Sequence, residues 1–576
     1  MNIEAMLKKT VLAIVIIGFA FSIAQAQEQR DLDKEVKVRT TYQPKINKAK
    51  RIGELPVVKD TASFTPTFNY FVQTKPLTVG FSPVEIPAAK IVGEPLKKLN
   101  SHDLTLAGGN YSTLFGDYRF NNQRSKTTDF GVHLRHYSTN GKLTLENDDK
   151  VKPDWTEQLA EVYGTVYLDE AKVNGRLFYE RNAYNYFGAP QNDYSMSNPG
   201  FRFPYNEQKL NNFGLSADFQ TMFDDEEKLN FGLGLKYEYF SDDIDLKETD
   251  IAVLANAKIR RGDGFWSLCS KFDYFSIDGL YNWEENNLDN DRKTMVWSLQ
   301  PSYLLQTGKL NLQLGVKPVI VMGDDSETKI YPDVKVDFEA IDNILSLFFG
   351  LDGDLNMNRS KDITSENPFV FSGLDVMPSN QKYRLFGGIR GSLSSTSSFN
   401  LSAEYSAIDN QYFFVNAQNI SFSTFEATPV TAYSNKFGVV YDDISLLRLS
   451  ADLNLAWNEK LSLSSKVVYN SYAMDILDEA WHKPNFEVNA NASYKFTNEL
   501  TFQAGVNMIG ERKTWADNEK KTLDAVYDLN IGANYRFSEH FTVFGRVNNL
   551  FADKYYQWEG YPSQRLNFLL GAKVSF

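Results

Sequence analysis

Cysteine is almost absent: Cys269 stands alone in 576 residues, so no disulfide framework holds this chain. Histidine is scarce as well, limited to His102, His133, His136, His482 and His540. His133 and His136 lie three apart in a stretch of strand character, which points them to opposite faces and prevents their joint ligation of one metal. The chain has no GxSxG elbow, no HExxH and no phosphate loop, and no serine, histidine and acid set can be assembled from it. An enzyme is therefore not expected, and no cofactor or metal is assigned. Basic charge is in deficit, with a net charge of −13, which speaks against nucleic acid as a partner because phosphate contacts need clustered Lys and Arg. Long apolar runs are missing apart from Val11 to Ala24. That run follows Lys8 and Lys9 and precedes the small-x-small site Ala24-Gln25-Ala26, the pattern of a secretory signal peptide cleaved after Ala26. It is shorter than the roughly 20 apolar residues of a spanning helix. After Ala26 no segment could span as a helix, so membrane integration would have to use strands.

What the chain does have is alternation. From Leu566 the even positions are Leu566, Phe568, Leu570, Ala572, Val574 and Phe576, while the odd ones include Arg565, Asn567, Lys573 and Ser575. One face is apolar and the other polar, as in a strand between lipid and a wet lumen; a sandwich edge strand could carry the same pattern. Recurrence decides between them. Twenty-two such segments run from about 102–112 to 564–576, and the least certain, 434–456, is long enough to be two strands around Asp442-Asp443. Another is expected at 522–537. Tight connections such as 168–171, 223–227, 306–308 and 497–499 alternate with long ones at about 139–156, 183–208, 277–293, 357–381, 417–433, 473–484 and 550–563. A soluble sandwich has no reason to keep that phase, whereas outer-membrane barrels join strands by short periplasmic turns and longer external loops. The 31 tyrosines and 42 phenylalanines suit the aromatic girdles at the two rims. The expected fold is all-β: a transmembrane antiparallel β-barrel of about 22 strands (18–24), in contact with outer-membrane lipid, with an extended N-terminal periplasmic segment.

Three regions follow: a signal peptide at 1–26, a leader at 27–101 and the barrel at 102–576. The leader holds Pro44, Pro56, Pro66, Pro76, Pro83, Pro87 and Pro95, a spacing that forbids long helices and central strands. It is locally basic, with Lys34, Lys37, Arg39, Lys45, Lys48, Lys50 and Arg51 close together. Two readings stand: a periplasmic arm that docks on a partner or lies in the barrel mouth, and a solvated leader.

The ending is more specific. Gly545-Arg546-Val547-Asn548-Asn549-Leu550-Phe551-Ala552-Asp553-Lys554-Tyr555-Tyr556, then Gly560-Tyr561-Pro562, Gln564-Arg565 and a final strand to Phe576, resembles the C-terminal signature of TonB-dependent outer-membrane receptors. The likeness covers about 102–576, with only the last thirty residues of motif grade, and is nearest to the receptor-like proteins of the Bacteroidetes type. It implies a 22-strand barrel and makes Phe576 the residue read by the barrel-assembly machinery. The chain departs from the family in front of the barrel, where some 75 Pro-rich residues occupy the place of a folded plug of well over a hundred. Glu35-Val36-Lys37-Val38-Arg39-Thr40-Thr41 resembles the energy-coupling box, so Val36, Val38 and Thr40 are the expected contacts to TonB or another periplasmic protein by strand addition. The interior is then an open pore, or filled by the leader, or closed by inward side chains and loops such as 183–208.

External ligand contact is expected in the aromatic loops, at Tyr184, Tyr186, Phe187 and Trp283, where rings beside amides suit sugars or peptides; the same residues also read as the upper girdle. Asp289-Asn290-Asp291 beside Glu284 and Glu285 offers oxygen ligands for calcium, but hydrated acidic loop tips look the same. Two functions fit: a transport protein or receptor for an unidentified solute, or a non-conducting scaffold or assembly component that recruits periplasmic partners through its leader.

Overall fold

The computed structural model describes residues 99–576 except 124, 146, 147, 149, 189–206, 283–286, 324, 325, 372, 417–434, 517 and 518. Residues 27–98 of the leader, including Val36, Val38 and Thr40, and Trp283 with Glu284 and Glu285 therefore lie outside the described residues, as do the side chains of 281–290.

One antiparallel sheet of 22 strands dominates. It closes on itself, because the first strand His102–Gly109 pairs with the last, Asn567–Ser575, as well as with Leu114–Asn121. The seam is sealed by Phe576, whose backbone N–H donates to His102 O at 2.9 Å and whose ring stacks on the His102 ring at 4.9 Å. Closure removes every sheet edge and satisfies the backbone within the sheet, which a lipid environment requires.

Alternation becomes two surfaces. Across six neighbouring strands the register aligns Leu177, Leu215, Tyr237, Ile251, Tyr274 and Met295 in one outward row, exposed or partly so. One residue along, the same strands align Phe178, Gly214, Glu238, Asp250, Phe275 and Thr294 on the lumen side, all buried except Thr294. The first row is a lipid-facing surface; the second mixes carboxylates with aromatic rings.

One end has short turns, from the two residues 262–263 to the eight residues 222–229. The other carries the long connections 140–154, 186–206, 357–378, 417–436, 475–485, 510–525 and 549–566. Outer-membrane barrels keep their short turns in the periplasm and their long loops outside, so this second end is external.

Three boundaries differ from expectation. The loop expected at 277–293 is mostly strand: Gly264–Asn282 and Asn287–Thr307, of 19 and 21 residues, leave only 283–286 between them. A spanning strand needs about 9–11 residues, so these two stand well clear of the bilayer, where both faces meet water and the lipid alternation stops. The long segment near 434–456 is one strand, Phe437–Trp457, and the acidic pair sits where its partner bulges between Ile408 and Gln411. The strand expected at 522–537 begins at Val526, because Glu519–Leu523 turns back onto Arg512–Ala516 as a separate hairpin.

Candidate functional site

The external connection 357–378 does not stand up from the rim; it folds across the mouth. It contains the short helix Ser360–Glu366 and then an extended run that adds to the tip of another strand: Phe437 N–H donates to Phe369 O at 2.9 Å, and Phe371 N–H to Phe437 O at 2.8 Å.

That tip is a two-stranded ribbon, in which Gln411–Asn416 pairs with Phe437–Asp442 beyond the Ile408/Gln411 bulge. Its two faces are both covered. On one, Phe414, Phe437 and Val439 join Ile363, Phe369, Val370, Leu374 and Val376 of the crossing loop, the strand-end residues Tyr184, Leu210, Phe240, Ile277 and Leu280 with Tyr186 just beyond its strand, and Trp558 and Tyr561 of 549–566. On the other, Phe413, Val415 and Val440 pack with Ile444, Leu446, Leu477 and Trp481, and with Trp515 of the 512–523 hairpin. The first cluster draws side chains from strands on well-separated parts of the circumference. It is a hydrophobic core, set in the opening rather than in the wall.

Local geometry brings these side chains in. Gly279, at φ +82°, lies in the irregularity between Ile277 and Leu280, and a Cβ there would meet Asp245 O. Gly560, at φ +78°, turns the chain between Trp558 and Tyr561 with its backbone against Gly188, where an added Cβ would lie 2.6 Å from the carbonyl oxygen. Only glycine takes both the conformation and the contact without strain. Tyr561 then stacks flat on Phe369, with centroids 3.5 Å apart.

Polar groups fix the cap. Tyr184 donates its hydroxyl to Pro368 O at 2.5 Å, and Tyr186 donates to Val370 O at 3.1 Å. The Arg292 guanidinium pairs with Asp375. Burial raises the Asp375 carboxyl despite that partner. Burial would raise Glu366 too, but the Lys483 ammonium and the Tyr412 hydroxyl, the latter at 2.5 Å, hold it below the ordinary carboxylate range. His482 is buried, and its Nδ1 lies 2.9 Å from Phe414 O. Since a carbonyl only accepts, Nδ1 carries the proton; burial depresses the imidazole to about 3, keeping it neutral at pH 7. Lys436 is enclosed between rings, 4.3 Å from the Tyr186 centroid, and burial brings its ammonium down to about 8.

At the inner edge of the cap, the helix meets the wall. Arg359 Nη1 reaches Asp250 Oδ2 at 2.7 Å and Glu238 Oε2 at 3.5 Å; the Lys361 ammonium pairs with Glu238, and Ser360 N–H donates to Glu248 Oε2 at 2.7 Å.

The structure thus places Tyr184, Tyr186 and Phe187 together, but inside the cap core. Tyr184 and Tyr186 are each 2% exposed, so in this conformation they present no surface to an outside ligand, and they are not girdle residues. Parity carries the signal: 184 and 186 share the even phase of lumen-facing Phe178, whereas lipid-facing Leu177 and Tyr179 are odd. Phe576 ends the barrel seam, 58% exposed. His133 and His136 take different partners, Asp117 at 2.8 Å and Ser138 at 3.2 Å. Among the described residues no group of three or more His, Cys, Asp or Glu is placed to hold a metal ion. Sequence reasoning missed Arg359, Lys361, Glu238 and Asp250. The last two were detectable as ionisable residues at alternate positions of spanning strands.

No family model matches the chain. The vitamin B12 transporter BtuB of Vibrio vulnificus (strain YJ016) is 48% identical over 56 residues, which is 10% of this chain and 8% of that protein's length. Among solved structures, the pyoverdine outer-membrane receptor FpvA of Pseudomonas aeruginosa superposes with a TM-score of 0.61 at 11% identity, over 84% of this chain and 79% of that one. This chain shares the barrel fold of that receptor. The ferric-catecholate import receptor Fiu of E. coli K12 gives 0.60 at 10% identity, over 84% and 82% of the two chains. The siderophore receptor PirA of Acinetobacter baumannii gives 0.60 at 9%, over 84% and 81%. At these identities the superpositions establish the fold. The receptor-like barrel belongs to the outer membrane, and its 22 strands agree with the count read from alternation.

Proposed function

We propose that this barrel is an outer-membrane receptor or transporter, not an enzyme, whose external mouth is closed by its own loops and opens when 357–378 swings aside. The observation that carries the reading is the mouth-spanning hydrophobic core, in which Ile363, Phe369 and Val376 of one loop pack with Tyr184, Leu280, Phe437 and Tyr561 from around the rim. A core of that kind excludes water and solutes, and a loop held by side-chain contacts can be displaced as a unit without breaking a barrel strand. Ligand contact at Tyr184, Tyr186 and Phe187 is then a property of the displaced cap. Val36, Val38 and Thr40 remain the proposed docking strand for TonB or another periplasmic protein, and Phe576 the proposed assembly signal.

Planar-bilayer conductance tests this reading. The mature protein is expected to be silent, and a variant with 358–376 replaced by a Gly-Ser linker and residues 27–98 removed is expected to conduct. A steady pore in the intact protein would overturn the closed cap. Silence of the inserted double deletion would remove transport and leave the scaffold reading.

A further inference from the structure

Beneath the helix Ser360–Glu366, the lumen wall concentrates negative charge. Glu238 and Asp250 are direct cross-strand partners, Glu248 lies two residues from Asp250 on the same face, and Asp273 is on the next strand. All four are at most 5% exposed. Like charges directly opposite one another on a sheet repel, and burial worsens this unless cations are supplied. The wall supplies two of its own, Lys236 at 2.6 Å from Glu238 and Lys271 at 2.8 Å from Asp273. The remaining deficit is met by Lys361 and by Arg359, whose guanidinium is shared with Asp362 of its own helix at 2.9 Å; both come from a loop more than a hundred residues away in sequence. Even so, Asp250 Oδ1 stays buried with no hydrogen-bond donor.

The place is also shaped for an organic cation. Phe178 lies in the same row; Gly214 leaves room for its ring, since a Cβ there would sit 2.2 Å from it, and the Lys361 ammonium lies 5.7 Å from the ring centroid. A carboxylate pair facing an aromatic surface is how proteins hold guanidinium and ammonium groups. The carboxylates do not converge as a metal's ligands would.

We infer that this wall is the binding site for a cationic solute bearing guanidinium or ammonium groups, such as a basic peptide or a polyamine, and that Arg359 and Lys361 occupy it as built-in stand-ins while the mouth is closed. The inference rests on the reading of 357–378 as a displaceable cap. A loop that mimics its ligand releases when the ligand competes for the same carboxylates, so binding and opening become one exchange of cations.

The test uses fluorescently labelled triarginine, with triglutamate as control, on purified full-length protein in detergent, each variant checked for barrel folding by heat-modifiable gel migration. Replacing 358–376 by the Gly-Ser linker bares the wall whatever the cap does in life, and triarginine is expected to bind this variant at least tenfold tighter than wild type. Adding Glu238→Gln and Asp250→Asn should return it to the wild-type level, and Phe178→Leu should weaken it. The milder Arg359→Gln/Lys361→Gln variant should show the same gain if the linker variant fails to fold. Equal binding of triarginine and triglutamate, no gain over wild type, or a gain that survives Glu238→Gln/Asp250→Asn overturns the site. Conductance is read separately, on the linker variant that also lacks 27–98: conductance there without triarginine binding by the linker variant defeats this inference and leaves the cap standing, and binding without conductance does the reverse.

Discussion

The two rows that run side by side through residues 177–295 differ by a single step along each strand and share every backbone hydrogen bond, yet they live by opposite rules. On the outward row, Leu177, Leu215 and Met295 gain from being apolar because their solvent is hydrocarbon. On the lumen row, Glu238 and Asp250 are buried by the protein's own cap and depend on cations brought by the helix Ser360–Glu366. The outer surface is finished when the sheet closes. The inner one is completed only when a loop arrives, so the stability of the mouth is separable from that of the wall.

The sharpest way to break the mouth alone is acid. His482 has its imidazole depressed from 6.5 to about 3 by burial, so between those values the undocked state takes up a proton that the docked state refuses. Docking is at full strength above pH 6.5 and is lost progressively as pH falls toward 3, by roughly 5 kcal/mol in all. Hydrogen exchange at the His482 amide, which donates to Lys513 O at 2.7 Å, should accelerate over that range while barrel amides stay protected. Next comes Phe437→Ala, which empties a fully buried site shared by the ribbon and the crossing loop. A loss of about 3–5 kcal/mol should appear as proteolytic sensitivity of 357–378, with barrel strands intact. Lys436 gives the opposite sign. Its ammonium is lowered from 10.5 to about 8 by burial, so the undocked state binds the extra proton between these values and docking strengthens as pH rises through them. Lys436→Met should therefore tighten the cap by up to about 3 kcal/mol at pH 7, measured by the same exchange. The wall is tested by Leu215→Arg on the lipid-facing row, expected to cost about 2–4 kcal/mol if at mid-depth in urea titrations of barrel folding into liposomes, with cap exchange unchanged. The smallest effect is at the periplasmic turns: breaking the exposed Lys309–Asp342 pair by Asp342→Asn should change folding by less than about 1 kcal/mol.

The wall was legible in the sequence and the mouth was not, for a physical reason. Lipid on one side and water on the other impose a period of two on every spanning strand, so Leu229, Phe231, Leu233 and Leu235 declare their face without help from neighbours. Above the bilayer that constraint ends. The stretch 277–293 reads as loop because its asparagines and aspartates are polar on both faces, although backbone pairing carries the strands through most of it. Tyr184 and Tyr186 read as exposed aromatics because a loop's composition does not say whether it stands up or folds in, and only the parity inherited from Phe178 points inward. Arg359 and Lys361 had no local signal at all, since what gives them a role is a pair of carboxylates on distant strands.

The long strands Gly264–Asn282 and Asn287–Thr307 also set the height of the rim. They extend roughly 65 Å of chain from periplasm to tip, whereas His102–Gly109 spans roughly 25 Å before the turn at 110–113. The strands therefore end in an uneven lip, tall beside the carboxylate wall and again at Ser397–Asn416 with Phe437–Trp457, and low beside the closing seam.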